Sequence, residues 1–200
     1  MKQLIIIGAS GHGKVVADCA VRNGYEQIVF LDDNEKITHC GKYEVSGRSE
    51  EVGMLPGDVV VAIGNPGSRR KIQESINESR LATLIHPRAV VGDDVEIGSG
   101  SVVMAGAVIN PGSRIGKGVI VNTSSSIDHD CRVGDYAHLA VGAHLSGSVE
   151  VGDGSWIGAG AVVSNNLCIC GGCIIGAGAV VVKDIGETGT YVGVPARKMA

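Results

Sequence analysis

Aromatic side chains are nearly missing from this chain: Tyr25, Phe30, Tyr43, Tyr136, Trp156 and Tyr191 are the only six in 200 residues. Rings are the largest core fillers, so an interior without them must be built from Val, Ile, Leu and Ala, and must be narrow and regular. An excess of positive charge is missing too. The formal net charge of −4 removes any electrostatic reason to expect nucleic acid or an anionic membrane surface. No run approaches the roughly eighteen apolar residues of a membrane-spanning helix. The opening "LIII" is too short for a secretory core and runs straight into a glycine turn. The cysteines (Cys19, Cys40, Cys131, Cys168, Cys170 and Cys173) suit a reduced compartment. The sequence therefore predicts a soluble, cytoplasmic protein without membrane insertion.

Glycine, by contrast, is abundant, at 31 residues, about twice its usual share. The first part of the chain uses it as punctuation. "QLIII" reads as a buried parallel strand ending in glycines, and "HGKVVADCAVRNG" as a helix closed by Gly24. "QIVFLDD" is a second strand, "DVVVAIGN" a third, and "PGSRRKIQESINES" a helix with Pro66 near its start. This βαβ rhythm predicts a small, open, Rossmann-like parallel sheet over residues 1–84, with ligands at the carboxyl ends of its strands.

From Val91 the period changes. An aliphatic residue returns every six positions up to Val181, sixteen times in sixteen, and Ile85 extends the phase backward. Four residues after most of them stands a small side chain, among them Ser101, Ala107, Ser113, Cys131, Ala143 and Cys173. Hexads of this kind mark a parallel β-helix. The aliphatic residue points inward at mid-face and the small one fits where the wall turns. Three hexads make a coil of eighteen residues, and sixteen make about five coils stacked at roughly 4.8 Å. Residues 85–200 are therefore predicted to form a triangular prism. Its last segment, "VVKDIGETGTYVGVPARKMA", breaks the repeat and serves as a cap.

Uninterrupted hexads ending in "GVPARKM", preceded by "IIIGASGHGKVV", "FLDD" and "AIGNPGSRRKI", resemble the hexapeptide-repeat acyltransferases. Together with "NTSSSIDHD", these motifs are similar to the bacterial family of sialic-acid O-acetyltransferases and UDP-4-amino-sugar N-acetyltransferases of surface-glycan synthesis. The resemblance covers essentially the whole chain. It implies a left-handed winding, acetyl-CoA as co-substrate with no permanently bound cofactor, and a homotrimer with active sites between neighbouring prisms.

Spacing decides what the histidines of "NTSSSIDHDCRVGDYAHLAVGAH" can do. His129 and His138 are nine residues apart, half a coil, and so lie on different sides of the prism. His138 and His144 are six apart, at equivalent places on adjacent walls. A wall reaches at most about 20 Å, so these imidazoles do not converge on one ion within a chain, and no metal site is expected. Acyl transfer needs a base near neutral pH, and His129, flanked by Asp128 and Asp130, is the candidate. Which carboxylate orients it stays open, because the related N-acetyltransferases commonly carry glutamate where this chain has Asp130. Gly147 lies one coil above His129, leaving room for substrate and an N–H for an oxyanion. The resemblance adds Asn122 as an oxyanion or substrate contact, and His138, Ala159 and Ala177 as donor contacts. His144, His39 and His86 are left as surface or packing residues.

In the first domain "GASGHG" presents N–H groups at a helix N-terminus, where an anion would sit. With the family's use of this domain for a nucleotide sugar, Ser10, Gly11 and His12 are expected near the phosphates or sugar. Asp32 and Asp33 are expected on the uridine, and Gly64 and Asn65 on the same rim. "SRRK" (68–71) reads as a solvated helix face. In "CICGGC" (168–173), Cys173 points inward while Cys168 and Cys170 straddle Ile169 and point outward, which speaks against a metal cluster. The function expected is acetyl-CoA-dependent N-acetylation of a UDP-linked 4-amino sugar. The alternatives are sugar O-acetylation and a noncatalytic nucleotide-binding scaffold.

Overall fold

The computed structural model describes residues 2–199. The first domain runs β1 (Gln3–Ile7), α1 (Gly11–Arg22), β2 (Gln27–Leu31), β3 (His39–Cys40), β4 (Tyr43–Gly47), β5 (Asp58–Val61) and α2 (Pro66–Glu74). β1 lies between β2 and β5, parallel to both, and β4 extends the sheet beyond β2, again parallel. The sheet is not wholly parallel, as the sequence suggested. β3 runs antiparallel to β4, because only Gly41 and Lys42 separate them and Gly41 takes φ +63, a hairpin conformation. β1 is buried on both faces. Leu4 and Ile6 join the core under α1, whereas Ile5 and Ile7 face a second core on the other side.

α1 starts tight on the end of β1. A Cβ at Gly13 would collide with the Gly8 carbonyl oxygen, so only glycine lets the helix approach this closely. The helix ends at Asn23, followed by Gly24 at φ +81. α2 is capped by Asn65, whose side-chain oxygen accepts the Ser68 N–H at 2.9 Å, with Pro66 at the first helical position.

From Leu84 to Val181 a two-residue strand recurs every six positions. The strands stack in three parallel walls, each in register with the strand eighteen residues on. The first wall holds Leu84–Ile85, Val102–Val103, Ile120–Val121, His138–Leu139, Trp156–Ile157 and Ile174–Ile175. The second begins at Val90–Val91 and carries Ser126–Ile127 and His144–Leu145. The third runs from Glu96–Ile97 to Cys168–Ile169. In each pair the second residue points inward, and from Val103 to Val181 these inward residues are all buried. Each contributes roughly 1.5–3 kcal/mol of burial. The small corner residues are fully buried as well, and the serines among them bond to backbone. Ser101, Ser113 and Ser155, for example, donate to Gly116 O, Asp128 O and Cys170 O in the next coil.

The outward column of the first wall determines where the site lies. Leu84, Val102 and Ile120 are buried in one cluster with Leu4, Ile6, Val16 and Ala20 of the first domain. The next residue up is His138, 6% exposed, followed by half-buried Trp156 and half-exposed Ile174. The sheet domain therefore covers the lower coils of one wall, and its rim falls at His138.

Arg69 fastens this seam and corrects the reading of "SRRK" as a solvated face. It is 1% exposed and donates to five backbone oxygens. They are Ile63 O (2.7 Å) and Gly64 O (2.8 Å) on its own side, and Gly118 O (2.8 Å), Tyr136 O and Ala137 O on the prism. Burial pushes its pKa down to about 10, so it stays charged at neutral pH. Arg70, in contrast, is exposed beside Asp153 and Glu74. At the top of the prism the chain returns as a hairpin. Thr190–Val192 adds to the first wall and Arg197–Lys198 pairs antiparallel with it. No helix among the described residues is long and apolar enough to cross a membrane.

Candidate active site

His129 lies on the corner between the second and third walls, directly after the strand Ser126–Ile127. Asp130 occupies the turn position at φ +59, as Gly112 and Ser148 do one coil below and above. Aspartate tolerates this left-handed conformation better than most residues. Asp130 Oδ2 lies 2.8 Å from His129 Nδ1, so the shorter aspartate does reach its own histidine. Asp128 is used differently: its Oδ1 accepts the His129 amide (2.9 Å) and Asn110 Nδ2 (2.8 Å). The Asn110 bond and that amide hold the Asp128 carboxyl below its ordinary range. Asp130 therefore orients the ring, and Asp128 holds the turn.

The hydrogen bond to Asp130, reinforced by the Asp128 charge, raises the His129 pKa above its ordinary value. With Nδ1–H donating to the carboxylate, Nε2 is left as the basic nitrogen. It points up at Gly147, where a Cβ would stand 2.6 Å away. Any side chain at Gly147 would therefore displace the imidazole. Among the described residues the Gly147 N–H has no acceptor, although the peptide groups around it are paired: Ser148 N with His129 O, and Asn166 N with Gly147 O.

A second group forms on the first wall at the rim of the sheet domain. His138 packs between Trp156, at 4.4 Å between ring centroids, and His12 from α1, at 6.2 Å. Asn122 Nδ2 is 3.3 Å from His138 Nε2, and Asn122 Oδ1 accepts the Thr123 amide. Gly64 stands against the Trp156 ring at 3.8 Å from where its Cβ would be. His12 Nε2 and His138 Nδ1 are buried without hydrogen-bond partners. Burial, then the Arg69 charge, pushes His12 down to about 4. Burial, then His12 and Arg69, pushes His138 down to about 3. Both rings are neutral at neutral pH; with His138 Nε2 engaged by Asn122, His138 Nδ1 and His12 Nε2 are the ring nitrogens left for a polar group entering the seam.

The other candidate residues are spread around this seam. Ala159 and Ala177 lie exposed, one coil apart, on the corner that follows the first wall. Ser10 and Gly11 are exposed at the start of α1, with Ser10 as its N-cap. Asp32 accepts the Ala9 amide (2.7 Å) and the Asn34 amide (2.8 Å). It lines a groove of about 280 Å³ with Asn34, Thr38, Gly47 and Arg48. Asp33 turns away, because both its oxygens are taken by the Ser49 amide and hydroxyl at 2.9 Å, which holds its carboxyl below the ordinary range. Asn65 uses its side-chain oxygen as the α2 cap. His144 is exposed, paired with Ser126 Oγ at 2.8 Å.

Within one chain these residues do not form one site. The corner that carries His129 is opposite the wall that carries His138, with the prism core between them. Two residues that matter here escaped the sequence reading, Trp156 and Arg69. Trp156 is the position eighteen after His138, so the coil arithmetic held a signal for it. Arg69 had none, since a basic residue on a polar helix reads as solvated. The reading of Cys170 as an outward side chain also needs correction. Its sulfur lies 3.4 Å from that of Cys173, because the corner folds Cys170 back over the buried residue. Among the described residues no cluster of three or more histidine, cysteine or acidic side chains could hold a metal ion.

A parallel-sheet domain with a glycine turn, set against a hexad prism that carries a carboxylate-supported histidine, defines a class of acyltransferases. Comparison with known proteins agrees. Residues 3–76 match the PglD N-terminal domain family. The acetyltransferase domain of PglB from Neisseria gonorrhoeae FA1090 is 42% identical, with both chains covered over 100% of their length and a TM-score of 0.93. The same domain has been solved in complex with acetyl coenzyme A. A perosamine N-acetyltransferase from Caulobacter crescentus is 34% identical over 100% of this chain and 98% of its own, with a TM-score of 0.93. That structure, a histidine-to-asparagine variant, holds CoA and GDP-perosamine. The curated UDP-N-acetylbacillosamine N-acetyltransferase of Bacillus subtilis (strain 168) is 38% identical over 113 residues, 52% of this chain and 52% of that protein. The match thus spans about half the length of this curated relative. The chain belongs to the hexapeptide-repeat acyltransferase family of sialic-acid O-acetyltransferases and UDP-4-amino-sugar N-acetyltransferases.

Proposed function

We propose that this protein is an acetyl-CoA-dependent N-acetyltransferase acting on a nucleotide-linked 4-amino sugar, with a UDP-linked sugar as the preferred acceptor. The observation that carries this reading is the His129–Asp130 pair at 2.8 Å, with Nε2 free and facing the open Gly147 shelf. The unprotonated sugar amine attacks the thioester carbonyl, and the carbonyl oxygen becomes an oxyanion. His129 Nε2 takes the proton released by the amine, and Asp130 stabilises the imidazolium that results. The unpaired Gly147 N–H is the donor for the oxyanion. The tetrahedral intermediate then collapses, the C–S bond breaks, and the His129 imidazolium returns its proton to the departing sulfur, so that the coenzyme leaves as its thiol and the base is regenerated.

The prism is wound left-handed and the working enzyme is a cytoplasmic homotrimer. His129 of one chain meets His138, Asn122, Ala159 and Ala177 of the next, since one prism holds these groups on opposite sides. Ala159 and Ala177 form a low wall along which the pantetheine arm lies. Residues 1–84 hold the nucleotide sugar, with Ser10, Gly11, His12 and Gly64 toward the phosphates and sugar. Asp32 lies toward the nucleoside, Asn65 borders the same rim through its backbone, and Asp33 supports the strand end through Ser49. Asp32 is the strongest of these three, because it lines a groove while the side chains of the other two are taken by local turns.

A thiol-release assay with acetyl-CoA tests this reading against a panel of UDP- and GDP-linked 4-amino sugars and free sialic acids. Turnover with an amino sugar that drops ~10²-fold or more in His129→Ala supports it. Turnover only with sialic acids shifts the assignment to O-acetylation, and silence across the panel leaves a nucleotide-binding scaffold.

A further inference from the structure

Cys170 and Cys173 hold chemistry that acetyl transfer does not use. Along the corner leaving the third wall, four successive coils place glycine at Gly98, Gly116, Gly134 and Gly152. A Cβ at any of them would run into the backbone of the coil above, at Lys117, Asp135, Asp153 and Gly171 respectively. The fifth position in this column is Cys170. A side chain is admitted there because the hexads stop above it, and Ile185 of the C-terminal segment takes the Cys170 N–H at 2.8 Å instead. That side chain turns toward Cys173, the small inward residue of the same corner, which is fully buried. The two sulfurs are 3.4 Å apart, the sole sulfur–sulfur contact among the described residues. Ser155 Oγ holds both ends of the corner, donating to Cys170 O at 3.0 Å and accepting from Cys173 N at 3.2 Å.

The two thiols differ in access. Cys170 is half-buried on a groove of about 520 Å³ that runs along the third wall, whereas Cys173 faces the prism interior. A disulfide requires the sulfurs to approach by about 1.4 Å. Side-chain rotation and the intervening Gly171 and Gly172 supply that movement.

We propose that Cys170 and Cys173 form a reversible oxidation site whose reagent is a low-molecular-weight disulfide such as oxidised glutathione. The Cys170 thiolate attacks one sulfur of the reagent. The reagent's S–S bond breaks, a mixed disulfide forms on Cys170, and the departing thiolate takes up the proton that Cys170 gave up. Cys173 then loses its proton and attacks Cys170 Sγ, expelling the second small thiolate, which takes that proton. The two protein sulfurs are oxidised to one disulfide and the reagent is reduced to two thiols. Burial and the contact with Cys170 push the Cys173 pKa up to about 11, which keeps it the resolving thiol and not the attacking one. In the reduced form Cys173 Sγ donates to Glu187 O at 3.6 Å. The same carbonyl accepts Tyr191 Oη, and the Glu187 carboxylate pairs with Lys198. Oxidation withdraws the thiol from this junction at the base of the C-terminal hairpin.

The test equilibrates the full chain with oxidised glutathione, blocks the remaining thiols by alkylation, and maps the peptide that contains residues 168–173 by mass. Two of the six thiols are expected to be lost as a Cys170–Cys173 disulfide that dithiothreitol reverses. Cys173→Ser should keep one glutathione on Cys170 and form no disulfide, and Cys170→Ser should leave Cys173 free. Serine already fills the equivalent inward position at Ser101 and Ser155, so Cys173→Ser is compatible with the fold. A disulfide joining Cys168 to Cys170, or glutathione confined to exposed Cys168 while Cys170 stays reduced, would overturn the proposal.

Discussion

His129 Nε2 lies so close beneath Gly147 that a methyl group there would stand 2.6 Å from the ring nitrogen. Gly147 is outside the left-handed region, so its backbone accepts alanine without strain. Gly147→Ala should therefore change overall stability by no more than about 0.5 kcal/mol. By moving the imidazole it should lower kcat ~10²-fold. Thermal unfolding and steady-state rates on the same preparation check both halves, and an unchanged kcat would remove Gly147 from the site.

Asp130 raises the His129 pKa, and the active form is the neutral ring. Activity thus rises with pH through that raised pKa. Asp130→Asn removes the charge and should shift the acidic limb of kcat/KM to lower pH, with a lower plateau because Nε2 becomes a weaker base. Asp128→Asn should move the limb less, since Asp128 bonds the backbone amide and not the ring. Equal limbs in wild type and Asp130→Asn would show that this pair does not set the base.

The opposed placement of His129 and His138 on one prism makes a mixing experiment decisive. His129→Ala and His138→Ala chains, each impaired alone, should regain activity when co-expressed. The limit is about one quarter of wild type if sites form between neighbouring copies at random. No recovery in isolated mixed oligomers would mean that each chain works alone.

Arg69 and Arg70 are adjacent in sequence and opposite in consequence. Arg69→Met strands five backbone oxygens at the domain seam and should cost about 3 kcal/mol or more. Arg70→Ala removes only exposed ion pairs and should stay within about 0.5 kcal/mol. Urea midpoints measure the difference.

What the sequence by itself determined about this protein is whatever a local period can encode. A repeat of six determines which residues face inward, and a coil of eighteen determines which stack. Hence the prism, the place of Gly147 above His129, and the separation of His129 from His138 were all legible. The pairing of Asp130 with His129 was nearly so, because they are neighbours in the chain. Outward positions, however, are equivalent until another element covers them. Nothing in the hexads says that Leu84, Val102 and Ile120 are buried under α1, or that His12 comes to rest against His138. No pattern shows Arg69 leaving its polar helix to bind the prism backbone. Asp33 and Asn65 read as ligand contacts because strand ends usually are, yet their oxygens are taken by nearby turns. Cys170 turned inward because the coil above it is missing. Only the tertiary structure decided these points, since each depends on which surface is removed from water by a segment distant in the chain.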